Sequence, residues 1–167
     1  MAKAAEWSAA FADPLHTPRP ARKVAVVACM DARLDLFGIL GLRPGDAHLI
    51  RNAGGVATDD VIRSLAISQR KLGTREVVLV HHTDCGMLTF TEDEFRRELL
   101  DETGIKPAWV AEAFTDLDAD VRSSIARIRS SPFLPHRDAV RGFVYEVETG
   151  SLREVPPMAP RAAVSDS

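Results

Sequence analysis

Val77-Val78-Leu79-Val80-His81-His82-Thr83-Asp84-Cys85-Gly86 is the stretch that decides the fold. Four apolar residues run without a break into two histidines, an acid, a cysteine and a glycine. An unbroken apolar run of this kind is the pattern of a strand buried on both faces. The reactive groups fall where that strand stops. A second stretch has the same shape: Val24-Ala25-Val26-Val27-Ala28 leads into Cys29-Met30-Asp31-Ala32-Arg33. Cys29 and Cys85 are the only two cysteines in the chain, and each closes a buried-strand pattern.

Outward from these strands the elements alternate. The first strand spans residues 23–29, and a short helix over 35–41 is closed by Gly41 and the Pro44-Gly45 turn. A second strand around 46–51 runs into the loop Asn52-Ala53-Gly54-Gly55. Thr58 or Asp59 caps a helix over 58–72, with an apolar stripe of Val61, Ile62, Leu65 and Leu72 and a stop at Gly73. The third strand is 76–82. Thr91 with Glu94 has capping-box spacing, so a helix runs from there to about 101. Residues 105–116 read as a loop anchored by Trp109 and Phe114. A further helix covers 116–129, a strand 140–147, and residues 151–155 pair back after the Thr149-Gly150 turn as an edge strand. This order predicts an α/β fold with a mostly parallel sheet, whose ligands collect at the carboxyl ends of the strands. Residues 1–22 read as an arm, a short helix with Trp7 and Phe11 on one side followed by a linker stiffened by Pro14, Pro18 and Pro20. Residues 23–156 form the α/β domain, and 157–167 a flexible tail.

Composition narrows the functional classes. The 167 residues are enough for one domain with its own core. A net charge of −3 leaves no basic footprint for nucleic acid. No apolar run reaches the ~18 residues of a membrane span, and residues 1–20 lack the apolar segment of a secretory leader. The expected setting is cytoplasmic, where two cysteines read as thiols, metal ligands or catalytic groups rather than a structural disulfide.

His82 and Cys85 have a His-x-x-Cys spacing that aims a strand-end residue and a turn residue at one ion. Cys29 supplies a third donor if its strand neighbours the 76–82 strand. Two thiolates and an imidazole suit Zn²⁺, and three protein donors are the count of a catalytic site. Successive strand side chains face opposite ways, so His82 reaches the site while His81 packs on the other face with a hydrogen bond to a loop. An Asp at a strand end is often a helix cap and an Arg there a surface charge; two positions past a zinc thiolate, Asp31 is also placed to accept a hydrogen bond from a zinc-bound hydroxide, with Arg33 keeping the acid ionised and oriented. Asp84 has no assigned role. His48 and His81 are the histidines left for proton movement, and a lone histidine is more often structural. By count alone the two cysteines would be unrelated buried thiols. A redox pair is the other option, but the spacing lacks Cys-x-x-Cys.

Cys29-Met30-Asp31-Ala32-Arg33 followed by His82-Thr83-Asp84-Cys85-Gly86 resembles the β-class carbonic anhydrases, whose pattern is Cys-x-Asp-x-Arg and then His-x-x-Cys. The loop Arg51-Asn52-Ala53-Gly54-Gly55 and the segment Asp59-Asp60-Val61-Ile62-Arg63-Ser64 are similar too, and the likeness covers about residues 22–155, closest to the short prokaryotic members. The resemblance implies four parallel strands plus an antiparallel edge strand, flanked by helices. It implies one zinc per subunit on Cys29, His82 and Cys85, with Asp31 and Arg33 as the catalytic dyad. It also implies a Gly86 backbone N–H facing bound substrate. The implied reaction is reversible hydration of CO₂ to bicarbonate and a proton by zinc-bound hydroxide; the alternative is hydrolysis of carbonyl sulfide or carbon disulfide on the same scaffold. A homodimer or dimer of dimers is implied, with N-terminal helices wrapping onto the partner. Some members have a closed form in which the residue matching Asp31 leaves Arg33 for the metal. No glutamine precedes the first motif as it does in the larger members; Phe37, Val56 or Met87 are the candidate pocket residues. A non-catalytic zinc-binding or bicarbonate-sensing module is a further reading, disfavoured by the intact Asp31–Arg33 pair.

Overall fold

β1 (Val24–Cys29) lies between β2 (Ala47–Asn52) and β3 (Glu76–His82), and all three run parallel. The computed structural model describes residues 2–11 and 17–156. β4 (Val140–Tyr145) continues the sheet in parallel beyond β3, and β5 (Leu152–Val155) closes it as an antiparallel edge. The order is β2-β1-β3-β4-β5, four parallel strands and one antiparallel, as expected. The chain leaves β1 for one side to make β2, then returns to the other side to make β3. The gap between β1 and β3 is therefore the point where the winding reverses, and in such sheets the crevice at the carboxyl ends there is where ligands bind.

The strands are apolar throughout because both faces are covered. On one face Ala25, Val27, Val77, Leu79 and Val144 pack under α3 (Asp59–Leu72) and α5 (Leu117–Ser130). On the other, Val26, Ala28 and Val80 pack with Leu34, Val56, Met87 and Phe114. α5 sits so close to β4 that a Cβ at Gly142 would overlap Val121 Cγ1 and come within 2.9 Å of Ile125 Cδ1.

Local chemistry sets the helix ends. Asp35 caps α2 (Leu36–Leu40) by accepting from Phe37 N. Thr58 caps α3 by accepting from Val61 N, and Gly73 ends it at φ 83°. α4 (Glu92–Thr103) opens with the Thr91/Glu94 capping box, both arms present, and runs to Thr103. Asp116 caps α5.

The loop before α5 departs from expectation. Phe114 is buried and anchors it, but Trp109 is 57% exposed, with its ring centroid 6.3 Å from that of Phe95. The hold expected of Trp109 comes instead from Glu92, whose carboxylate accepts from Ala111 N and Glu112 N, each at 3.2 Å. α1 (Ala2–Ala10) is built from good helix formers and has no buried residue; Trp7 and Phe11 are 70% and 53% exposed, with rings 6.4 Å apart. The linker rejoins the sheet at β2, where Ala21 N and Arg22 N donate to Gly45 O and Asp46 O and His48 Nε2 donates to Pro18 O at 3.0 Å. Pro14 and the tail expected over 157–167 lie outside the described residues. No helix among the described residues is long and apolar enough to cross a membrane.

Candidate active site

Cys29 ends β1 and is held from three directions. Met30 N donates to Asn52 O at 2.8 Å. Arg51, from β2, donates through Nε to Cys29 O at 3.0 Å and through Nη2 to Asp31 O at 2.7 Å. Gly55 closes the approach: its φ is +75°, and a Cβ there would sit 2.7 Å from Cys29 N. Only glycine satisfies both conditions, which accounts for Gly55 in the Gly54-Gly55 pair.

β3 delivers the histidines to opposite faces. His81 and His82 are both fully buried. His81 turns toward α5, where Nε2 lies 2.8 Å from Asp120 Oδ2. Its partner is thus a helix residue and not the expected loop. His82 turns toward Cys29 and Cys85. Its Nδ1 stands 2.8 Å from Thr83 O. A carbonyl can only accept, so Nδ1 carries the hydrogen and Nε2 presents its lone pair. That Nε2 is buried with no hydrogen-bond partner among the described residues.

The donor atoms of Cys29, His82 and Cys85 lie within 4.8 Å of one another, and all three residues are buried. The two sulfurs are 4.0 Å apart and unbonded. The hydrogen bond between the two sulfurs couples their titration, pushing one thiol down and the other up, so that the pair gives up a first proton readily. A buried lone pair with no partner, facing two sulfurs, is a donor set that fits a borderline-soft metal ion.

Beside it stand Asp31 and Arg33. Asp31 Oδ1 accepts from Arg33 N and Nε, both at 2.9 Å, and Oδ2 accepts from Nη2 at 2.8 Å. Oδ2 is also 3.7 Å from His82 Nε2. The side-chain and backbone hydrogen bonds from Arg33 hold the Asp31 carboxyl well below the usual carboxylate range, so it is an acceptor at neutral pH. Arg33 reaches on to Asp84, through Nη1 to Oδ2 at 2.7 Å and through Nη2 to the main-chain O at 2.9 Å. Gly86 starts a single 3₁₀ turn, Gly86–Leu88, beside Cys85. It is exposed, and space is open where a Cβ would point.

All six residues singled out in the sequence thus fall in one neighbourhood. Two contributors escaped the sequence reading. Arg51 stands in the quoted loop with no role attached, and Asp84 had none. Neither has a spacing signal, since both act across strands. Of the candidate pocket residues, Val56 and Met87 are buried in the cluster that contains Cys29 and Cys85, whereas Phe37 is exposed. His48 is structural, with Nδ1 2.7 Å from Ser68 Oγ and Nε2 on the linker.

The sequence model of the family described as carbonic anhydrase matches residues 24–152. The chain is 56% identical over 157 residues to β-carbonic anhydrase 1 of Mycobacterium tuberculosis, covering 94% of this chain and 96% of that protein. It is 36% identical over 158 residues to a carbon disulfide hydrolase of Saccharolobus solfataricus, covering 80% and 77%. The solved carbonic anhydrase of Streptococcus mutans superimposes with a TM-score of 0.85 at 44% identity, over 93% of each chain.

Proposed function

The chain belongs to the β-carbonic anhydrase family and is a carbonic anhydrase, and on that premise we propose that it hydrates CO₂ reversibly on a zinc ion held by Cys29, His82 and Cys85, one ion per subunit. The observation that carries the zinc assignment is the partnerless Nε2 of His82 facing two free sulfurs in a buried site. Zinc bound there would supply the Lewis acidity that makes hydroxide available near neutral pH.

The chain's own groups do the rest. Asp31, ionised and clamped, accepts the hydrogen of the reacting water and so fixes which lone pair of that oxygen faces CO₂. Arg33 donates to both oxygens of Asp31, which orients the carboxylate and keeps it from leaving to act as a further ligand. The Gly86 N–H faces the substrate oxygen. Val56, Met87 and Phe114 give the site an apolar wall, suited to a linear molecule without charge.

The exposed Trp7 of α1 and Phe11 just after it support a homodimer in which the arm, residues 1–22, lies on the partner subunit and the α/β domain, residues 23–156, carries the site. Two free thiols as ligands also favour a reducing, cytoplasmic setting. Carbon disulfide or carbonyl sulfide hydrolysis is the second reading, supported by the 36% identical relative named for the former activity; the 56% identical relative favours CO₂.

The deciding experiment is stopped-flow CO₂ hydration on protein whose zinc has been quantified, with carbonyl sulfide and carbon disulfide run in parallel. We expect about one zinc per chain and CO₂ as the fastest substrate. Cys85→Ala should lose zinc and turnover together. Asp31→Ala should keep zinc and lose turnover by roughly 100-fold. Full activity in zinc-free protein, or stoichiometric zinc in Cys85→Ala, would remove the assignment.

A further inference from the structure

Asp84 lies between the two donors of the 82–85 turn, yet its side chain is 77% exposed while the donors are buried. Its backbone is left-handed, at φ 53°, a conformation that non-glycine residues adopt rarely and that Asp tolerates better than most. That conformation turns its carbonyl and its carboxylate toward one guanidinium. Arg33 places four N–H groups on two residues: Nε and one Nη2 hydrogen on Asp31, the other Nη2 hydrogen on Asp84 O, and Nη1 on Asp84 Oδ2. An exposed pair between single charged groups contributes little. Here the planar fork is gripped along two edges, by Asp31 beside it in sequence and by Asp84, 51 positions after Arg33. The arrangement fixes the rotation of the guanidinium, which a single carboxylate on a flexible stem does not.

We propose that Asp84 is a positioning residue for the Asp31–Arg33 pair: it holds Arg33 from the outer edge so that the inner edge stays on both oxygens of Asp31. It touches neither substrate nor the metal donors, and it acts through Arg33. The inference rests on the catalytic role proposed for Asp31. It ties the turn that carries His82 and Cys85 to the segment that carries Asp31, so the dyad is set relative to the donors rather than to solvent.

The test uses the zinc-loaded protein with Asp84→Gly and Asp84→Asn. Glycine keeps the left-handed turn and the main-chain carbonyl while deleting the carboxylate. Asparagine keeps size and turn tendency while deleting the charge. Three quantities are read: zinc per chain, kcat against KM, and the exchange rate of the Arg33 Nε–H in ¹⁵N-labelled protein. Zinc should match the unsubstituted protein. kcat should fall about tenfold with KM within about twofold, the scale of a lost outer contact at a metal site. The Arg33 Nε–H should exchange about tenfold faster, and Asp84→Glu should recover part of both losses. If Asp84 served only the turn, glycine would be neutral; kcat and exchange within about twofold of the unsubstituted protein in both variants overturns the proposal. Loss of zinc in Asp84→Gly also overturns it, because Asp84 would then be supporting the donors. The exchange rate reads the Arg33 contact without turnover, so it decides the proposal even if the unsubstituted protein fails to hydrate CO₂, a result that would sink the function instead.

Discussion

His82 shows how much a single side chain owes to its neighbours. The alternation of a strand tells His82 from His81 in the bare sequence, because one must face the cysteines and the other must not. The tautomer that frees Nε2 is set by the Thr83 carbonyl, which a sequence does not reveal. Asp31 is similar: its motif was readable, its two-oxygen clamp was not, and the Arg51 and Asp84 contacts depend on strand register across the sheet. The clamp has a pH signature. A carboxyl depressed in the folded state, here chiefly by the Arg33 hydrogen bonds, adds stability above its unfolded pKa of about 3.9. As pH falls past that value the unfolded chain takes up the proton first, and the contribution fades until the folded carboxyl is protonated too. Asp31→Asn should therefore be less stable than the unsubstituted protein at about pH 7, with the gap narrowing below about pH 4. Urea midpoints at several pH values would check this; a gap constant with pH would mean that Asp31 is not paired as described.

At the scale of elements, caps and glycines made the helices readable. Thr58 and Gly73 bound α3 as expected, and Thr91 with Glu94 opens α4, because these are local contacts that local sequence encodes. Tertiary packing was less legible. Trp109 looked like an anchor because it is large and aromatic, yet the loop is tied by main-chain N–H groups on Glu92, which composition cannot show. Gly142 reads as an ordinary strand glycine, but α5 presses on it. Gly142→Ala should cost about 1–3 kcal/mol, read as a lower urea midpoint with little change in the dependence on urea. Gly55→Ala should cost a similar ~1–3 kcal/mol and lower zinc content as well, because the new methyl would push on the Cys29 amide. Stoichiometric zinc in Gly55→Ala would show that β1 can shift without disturbing its last residue.

For the whole molecule, the sheet order explains why the reactive residues had to meet. β1 and β3 are adjacent and parallel, so their last residues share the crevice where the winding reverses. Strand–helix alternation predicted a parallel sheet, and the adjacency needed for Cys29 to join His82 is what the order supplies. The arm leaves Trp7 and Phe11 exposed on the single chain, and the proposed subunit contact falls there. Trp7→Ala should weaken self-association, measured by sedimentation velocity across a concentration series; an unchanged association constant would place the subunit contact elsewhere.

The reversal of winding between β1 and β3 also has a consequence in time. Cys29 and His82 are about fifty residues apart in the chain, and no local segment brings them together. Closing that long loop belongs to the slow, non-local part of folding. A metal held by Cys29, His82 and Cys85 would then be captured after the strands pair. Zinc should leave the refolding rate nearly unchanged and slow unfolding instead, so that the ion acts as a lock on a structure already made.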